Sequence, residues 1–322
     1  MKGTQIVTNR KSMNQRRTVA IVGAGSLASC LAPALSHAGY TILEIVTRAP
    51  ARVRSKSAAR ARALAASVGA RAATVETAAF DADLLWLCVP DREIRSVASA
   101  IAKRKKASSA KSLRSRTRFA FHSSGALLSS ELEPLARSGF LVASVHPLMT
   151  FVPGARPSLS NVPFALEGDA AATKLAKELV RDLGGKSLLL SPQRKAAYHA
   201  WATMTSPLLV AYLITLEDAA REAGLKREDA RLMSLPIIAQ TLANYRTLGP
   251  ESSFSGPFVR GDASTIARHL KLLKKRPAVR AVYVELARAA LLWLPAKNRP
   301  ALHKALSHQD KRPRSNRQPS TR

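Results

Sequence analysis

From residue 18 onward, short runs of β-branched and aromatic residues alternate with stretches whose apolar positions recur every three to four residues. The runs "TVAIVG", "TILEIVT", "LLWLCV", "RFAFHS" and "LVASVH" predict strands at 18–23, 41–47, 84–89, 118–123 and 141–146, with a weaker one near 71–75. The intervening periodicity predicts helices at 26–38, 51–68, 91–103 and 130–138. Such alternation needs crossover connections, so the expected fold is α/β, a Rossmann-type, mostly parallel sheet with helices on both faces. After "NVPFALEG" the pattern changes to a helix near 170–183, a short strand "KSLLL", and helical stretches over 192–223, 227–248, 262–274 and 278–294. The expected organisation is therefore a sheet domain over 18–165, an all-helical domain over 166–298, and basic tails at 1–17 and 299–322. No internal repeat is visible.

Composition narrows the class only a little. With 322 residues the chain is long enough for two domains, and 46% apolar content excludes collagen-like and fully disordered classes. No run approaches the ~18 consecutive apolar residues of a membrane span. Cys30 and Cys88 fall on a helix and inside a strand, where they read as small core residues rather than a disulfide framework. The N-terminus lacks the apolar segment of a secretory signal, and the expected location is the cytoplasm.

The net charge of +30 suggests polyanions until its position is considered. Residues 1–17 carry five Lys/Arg and no acid, 103–118 carry eight and no acid, and 309–322 carry five against Asp310. These segments lack apolar periodicity and read as two tails and a surface loop. Clustered Lys/Arg suffices for weak, nonspecific polyanion contact, but no aromatic residue is interleaved for stacking on bases.

Chemistry enters at "VAIVGAGSLASCLAPAL". A strand that ends on Gly23-Ala24-Gly25, continues through Ser26 and Leu27 to the small Ala28, and feeds a helix is a dinucleotide fingerprint. Gly23 permits the turn and Gly25 lets the backbone approach a pyrophosphate at the helix start. An NAD site usually has an acid at the end of the second strand. Here Glu44 lies too far inside that strand, and its end offers Thr47, Arg48 and then Arg52. A hydroxyl and a guanidinium suit a 2′-phosphate, so NADP is the expected cofactor.

Strand ends line the ligand crevice of an open α/β sheet, which places Val89, Pro90 and Ser123 beside the cofactor, while Ser124 reads either as a substrate or nicotinamide contact or as a turn-forming serine. His146 ends another strand in "VHPL", where it could pass a proton or bridge the domains structurally, while His122 reads as structural. Lys195, His199, Thr203 and Ser206 share one helical face, either a hydrophilic outer stripe or a face turned to the crevice, and Pro207 could kink the helix. Arg260 in "FSGPFVRGD" could hold a substrate carboxylate or pair with an acid.

The blocks "IVGAGSLA", "VTRAPARV", "CVPD", "HSSGALLSSELEPL", "VHPLMTF", "KAAYHAWA" and "FSGPFVRGDASTIARHL" together resemble an uncharacterised bacterial family. Its members join a Rossmann-like NADP-binding domain to a C-terminal helical domain of unknown function. More distantly, the layout is similar to pyrroline-5-carboxylate reductase, ketopantoate reductase and prephenate dehydrogenase. The resemblance implies NADP-linked hydride transfer, a helical domain like that of 6-phosphogluconate dehydrogenase, and a homodimer formed through it. Ser124 and His146 resemble substrate-contacting residues of prephenate dehydrogenases, but Pro207-Leu208 stands where those enzymes carry a proline followed by histidine.

The expected function is an NADP-dependent oxidoreductase acting on a small, anionic carbonyl or imine substrate in the interdomain crevice. Ser124, His146 and His199 would serve as catalytic residues and Arg260 as the anion anchor. The alternative is a non-catalytic nucleotide-sensing or nucleic-acid-associated protein that retains the Rossmann site. Coenzyme F420 as hydride partner resembles related folds, though no residue singles it out.

Overall fold

The computed structural model describes residues 16–47, 56–107 and 117–307. Arg48, Arg52, residues 108–116 of the basic insertion and most of both basic tails lie outside the described residues. The first region reads β1 (Thr18–Val22), α1 (Ser26–His37), β2 (Thr41–Thr47), α2 (Lys56–Ser67), β3 (Arg71–Thr74), β4 (Leu84–Leu87), α3 (Ile94–Ala107), β5 (Arg118–His122), α4 (Glu133–Ala136) and β6 (Phe140–Pro147). It continues through β7 (Pro163–Gly168), α5 (Ala170–Asp182) and β8 (Lys186–Leu189). Among the described residues these strands form one sheet in the order β3-β2-β1-β4-β5-β6-β7-β8. All neighbours are parallel except β6 and β7.

Both faces of the sheet are covered, which is why its strands read as continuous apolar runs. Val19 and Ile21 of β1 face one core with Leu84, Trp86, Phe119 and Phe121, and helices α1 and α5 cover it through residues such as Leu31, Leu35, Leu175 and Leu179. Ala20 and Val22 face the other with Leu85, Leu87 and Ala120, covered by Ile94, Val97, Ala98 and Ile101 of α3. Each fully buried Leu or Ile contributes about 1.5–3 kcal/mol relative to exposure.

Several expectations shift. The 130–138 helix is a 3-10 turn over Ser129–Leu132 followed by the short α4. α3 runs on to Ala107, so the insertion begins inside a helix. "PFALEG" forms β7, paired antiparallel with β6, and the expected domain boundary between 165 and 166 falls inside it. The chain instead separates into compact units between Thr203 and Met204.

The first unit closes with α6 (Lys195–Thr205), whose last turn straddles that boundary. The expected long helix over 192–223 is interrupted at Ser206, and Pro207 starts α7 (Pro207–Ala220), where its missing N–H costs nothing. α8 (Arg227–Ser253) follows, broken at Gly249, whose φ is 78°. Then come α9 (Pro257–Arg260), α10 (Ala263–Leu272), α11 (Pro277–Trp293) and α12 (Arg299–Ser307). Asp262 caps α10 by accepting from the Thr265 N–H at 2.9 Å. The expected basic tail from 299 onward starts as α12, which buries Leu302 and Leu306 against Ile266, Leu270, Val284 and Leu291. Among the described residues no helix is long and apolar enough to cross a membrane.

Candidate functional site

The turn after β1 must be glycine on geometric grounds. Gly23 has φ 118°, and a Cβ there would lie 2.2 Å from the carbonyl oxygen of Cys88. At Gly25, which precedes α1, a Cβ would meet no atom within 4 Å, so its missing side chain opens space above the helix start. That space joins a cavity of about 290 Å³ whose walls include Gly23, Ala24, Gly25, Thr47, Val89 and Pro90. A second cavity, of about 410 Å³, shares Ala24 and Gly25 and adds Ser26 and Ser29. An open cradle over a glycine turn at a helix N-terminus fits a dinucleotide pyrophosphate.

The remaining expected cofactor residues are placed differently. Leu27 packs its side chain against the core, Arg48 lies outside the described residues, and the Ser123 hydroxyl accepts from the Trp86 indole at 2.9 Å. Glu44 is buried on β2, one strand in from the sheet edge, where it pairs with Arg71 of β3 and accepts from the N–H groups of Ala79 and Phe80. It is not free to hold a ribose. Burial pushes the Cys88 thiol up to about 12, which rules against a thiolate at the cavity wall.

A second constellation stands at the ends of β5 and β6. Ser124 is buried, and its hydroxyl donates to Asp91 at 2.7 Å while accepting from the N–H groups of Ala126 and Leu127. Its donor and both lone pairs are therefore committed within the turn, the geometry of the turn-forming alternative. The Asp91 bond ties this turn to the segment just after Pro90. His122 beneath it bridges the Leu128 carbonyl at 2.9 Å and the Ser124 N–H at 3.1 Å, and burial lowers its pKa to about 4. The nitrogen that accepts from Ser124 must be unprotonated, so the Nε2–H donates to Leu128.

Gly125 comes next, and two histidines close over it. A Cβ at 125 would lie 2.6 Å from Cδ2 of His199 and 2.9 Å from Nε2 of His146. The two imidazole centroids are 6.4 Å apart. The other nitrogen of His146, Nδ1, is 2.8 Å from the Tyr198 hydroxyl. Burial, and then the neighbouring His199 and Lys195, lowers the His146 pKa to about 4, while burial raises the Tyr198 phenol to about 12.

α6 delivers this pair with its polar side inward. Lys195 and Tyr198 are buried and His199 half-buried, whereas Ala196, Ala197, Ala200 and Trp201 are exposed. The Lys195 ammonium contacts the Ser144 hydroxyl and lies 3.7 Å from Glu167 of β7, which also accepts from the backbone and hydroxyl of Ser129 at 2.7 Å. Burial lowers the Lys195 pKa to about 8 against the pull of Glu167. Thr203 bonds its own helix through the His199 carbonyl, and Ser206 only marks the break. Arg260, exposed at the end of α9, belongs to the second unit. Sequence reading did not single out Asp91, Gly125, Ser144, Glu167 or Tyr198. The shared face read from the sequence held Lys195 and His199 but not Tyr198, although the i, i+3 spacing from Lys195 places Tyr198 beside it.

Fold and turn define a Rossmann-like protein, and the chain matches the model of a Rossmann-like domain over residues 3–147. Over residues 162–290 it matches a domain of unknown function, DUF2520. No curated protein matches it. Among solved structures, a Thermotoga maritima protein is 23% identical, with 90% of this chain and 98% of that one covered and a TM-score of 0.63. An imine reductase from Myxococcus stipitatus in complex with NADP+ is 18% identical, covering 85% of this chain and 94% of that one, at a TM-score of 0.55. A pyrroline-5-carboxylate reductase from Coxiella burnetii is 14% identical, covering 91% and 97%, at 0.53. At these identities the likeness is one of fold.

Proposed function

We propose that the protein is an NADP-dependent oxidoreductase that moves a hydride between NADP(H) and a small carbonyl or imine. The observation that carries this reading is the His146–His199 pair over Gly125, joined through the Ser124–Asp91 bond to the segment lining the dinucleotide cavity. When bound, the cofactor supplies the hydride. The protein's share is to grip the nucleotide at the Gly23–Ser26 turn and to hold a donor for the reacting oxygen or nitrogen. His146 suits that task as a neutral ring. With Tyr198 donating to Nδ1, the proton stays on Nε2, the atom beside Gly125, where it can hydrogen-bond the reacting group and strengthen as charge develops. His199 confines the same space from α6. The cofactor identity draws on the imine and pyrroline-5-carboxylate reductases that share the fold.

The apolar exposure of α7 and α8 supports a homodimer through the helical unit. Leu208, Ile214, Leu232 and Ile237 are each at least half exposed. Unpartnered side chains of this size in neighbouring helices mark association surfaces.

The test is a titration of purified protein with NADPH and NADH followed by turnover assays on carbonyl and imine metabolites, with His146→Gln alongside. The variant should retain NADPH affinity and lose about 10²- to 10⁴-fold in turnover. NADPH binding with no turnover of any carbonyl or imine would favour the nucleotide-sensing alternative, and no binding at all would sink the reading.

A further inference from the structure

We infer that Arg60 and Arg156 are the phosphate grips of the dinucleotide site, Arg60 reading the 2′-phosphate and Arg156 countering the pyrophosphate. The inference rests on the proposed function and assigns residues to it. Arg60 lies on α2 and belongs to the walls of both cavities beside the glycine turn. Ser57, three residues earlier and so on the same helical face, lines the first cavity with Thr47. Thr47 ends β2, where a ribose-binding acid would stand, and Glu44 is already occupied by Arg71 and two backbone N–H groups. That side of the cavity therefore presents two hydroxyls and a guanidinium, which suits a phosphate dianion better than a ribose diol. Glu93 is the acid among its lining residues, and it follows β4 on a different element.

Arg156 approaches from the loop between β6 and β7. It lines the second cavity with Gly154 and Ala155, and Ser26 and Ser29 of α1 complete the wall. The free N–H groups of the first turn of this 12-residue helix and the open position at Gly25 are part of the same space. Both arginines are exposed, and among the described residues neither makes a hydrogen bond or an ion pair. Five other arginines of this unit are committed, Arg71 to Glu44, Arg95 and Arg137 to Glu133, and Arg16 and Arg181 to Asp182, whereas Arg62, Arg92 and Arg194 also lack such partners among the described residues but line neither cavity. Two uncommitted guanidinium groups from separate elements thus meet at the one turn built for phosphate.

The two positions give different signatures. In nicotinamide-fluorescence titrations, Arg60→Ala should weaken NADPH about 10- to 100-fold while leaving NADH nearly unchanged, so that the preference between them collapses. Arg156→Ala should weaken both cofactors by a similar factor and keep the preference. Competition with 2′,5′-ADP and 5′-ADP isolates the adenosine end, and only 2′,5′-ADP should lose affinity in Arg60→Ala. Thermal unfolding without nucleotide should match the parent for both variants, since neither side chain holds the fold. A parent protein that prefers NADPH, with the preference intact in Arg60→Ala, would overturn the Arg60 assignment. Unchanged affinities in Arg156→Ala would overturn the other. A parent that binds neither cofactor would instead refute the oxidoreductase reading itself.

Discussion

A methyl group at position 125 has nowhere to go, because both imidazoles lie closer to it than contact distance allows. Gly125→Ala should push His146 and His199 apart, lowering turnover at least about tenfold while NADPH affinity holds, since a displacement of an ångström at a reacting centre can cost more than that. Unchanged turnover would show that the pair is not at the reacting centre. Acid should be felt through the same histidines. His122 and His146 have folded pKa values near 4 against an ordinary 6.5, so the unfolded chain binds more protons between those values. The stability they contribute is complete above about pH 6.5 and is lost as pH falls toward 4, up to about 3 kcal/mol for the buried His122. Urea midpoints at pH 7 and pH 4.5 should differ less in His122→Gln than in the parent protein, and an equal difference would refute this account. Legibility at this scale was uneven. Gly23 and Gly25 could be read from local spacing, whereas the need for Gly125 arises from side chains 21 and 74 positions away, which no window along the chain brings together.

At the scale of elements, α6 is the piece whose orientation matters most. Its first residue puts an ammonium into a buried node with Ser144 of β6 and Glu167 of β7, and Tyr198 and His199 follow one turn later. Lys195→Ala removes one member of a buried ion pair and should destabilise the protein by about 3–5 kcal/mol in chemical denaturation. A loss of less than about 1 kcal/mol would mean that the node is not holding the helix. The polar stripe of α6 was visible in the sequence, but periodicity does not say which face is inside. A lysine and a histidine on an inward stripe are the exception to the usual amphipathic rule, and they are tolerated because β6 and β7 supply partners. β7 was hidden for a related reason. "PFALEG" opens with proline, is only six residues long, and pairs antiparallel at the end of a parallel series, so local pattern could not distinguish it from a linker.

For the whole molecule, the alternation of strands and helices was enough to place the sheet class, while the limits of the units depended on contacts made by β7, α5 and β8. The helical unit has its own core in α10, α11 and α12, yet leaves α7 and α8 with few buried residues of their own. A second copy is the proposed cover. Ile237→Glu, at a position 69% exposed, should shift the protein from dimer to monomer in sedimentation at micromolar concentration, with the far-ultraviolet helix signal retained. A parent that sediments as a monomer would refute the dimer, and a variant that remains dimeric would move the interface elsewhere.

The position of His199 also has a consequence for synthesis. Every residue lining the first cavity lies between Val22 and Val97, whereas His146 comes after α4 and His199 only after β8, just before the first unit ends at Thr203. A ribosome thus finishes the wall of the first cavity long before it makes either histidine or Arg156, and a product cut short before His146 carries Arg60 but neither the second proposed phosphate grip nor the proposed hydrogen-bond donor.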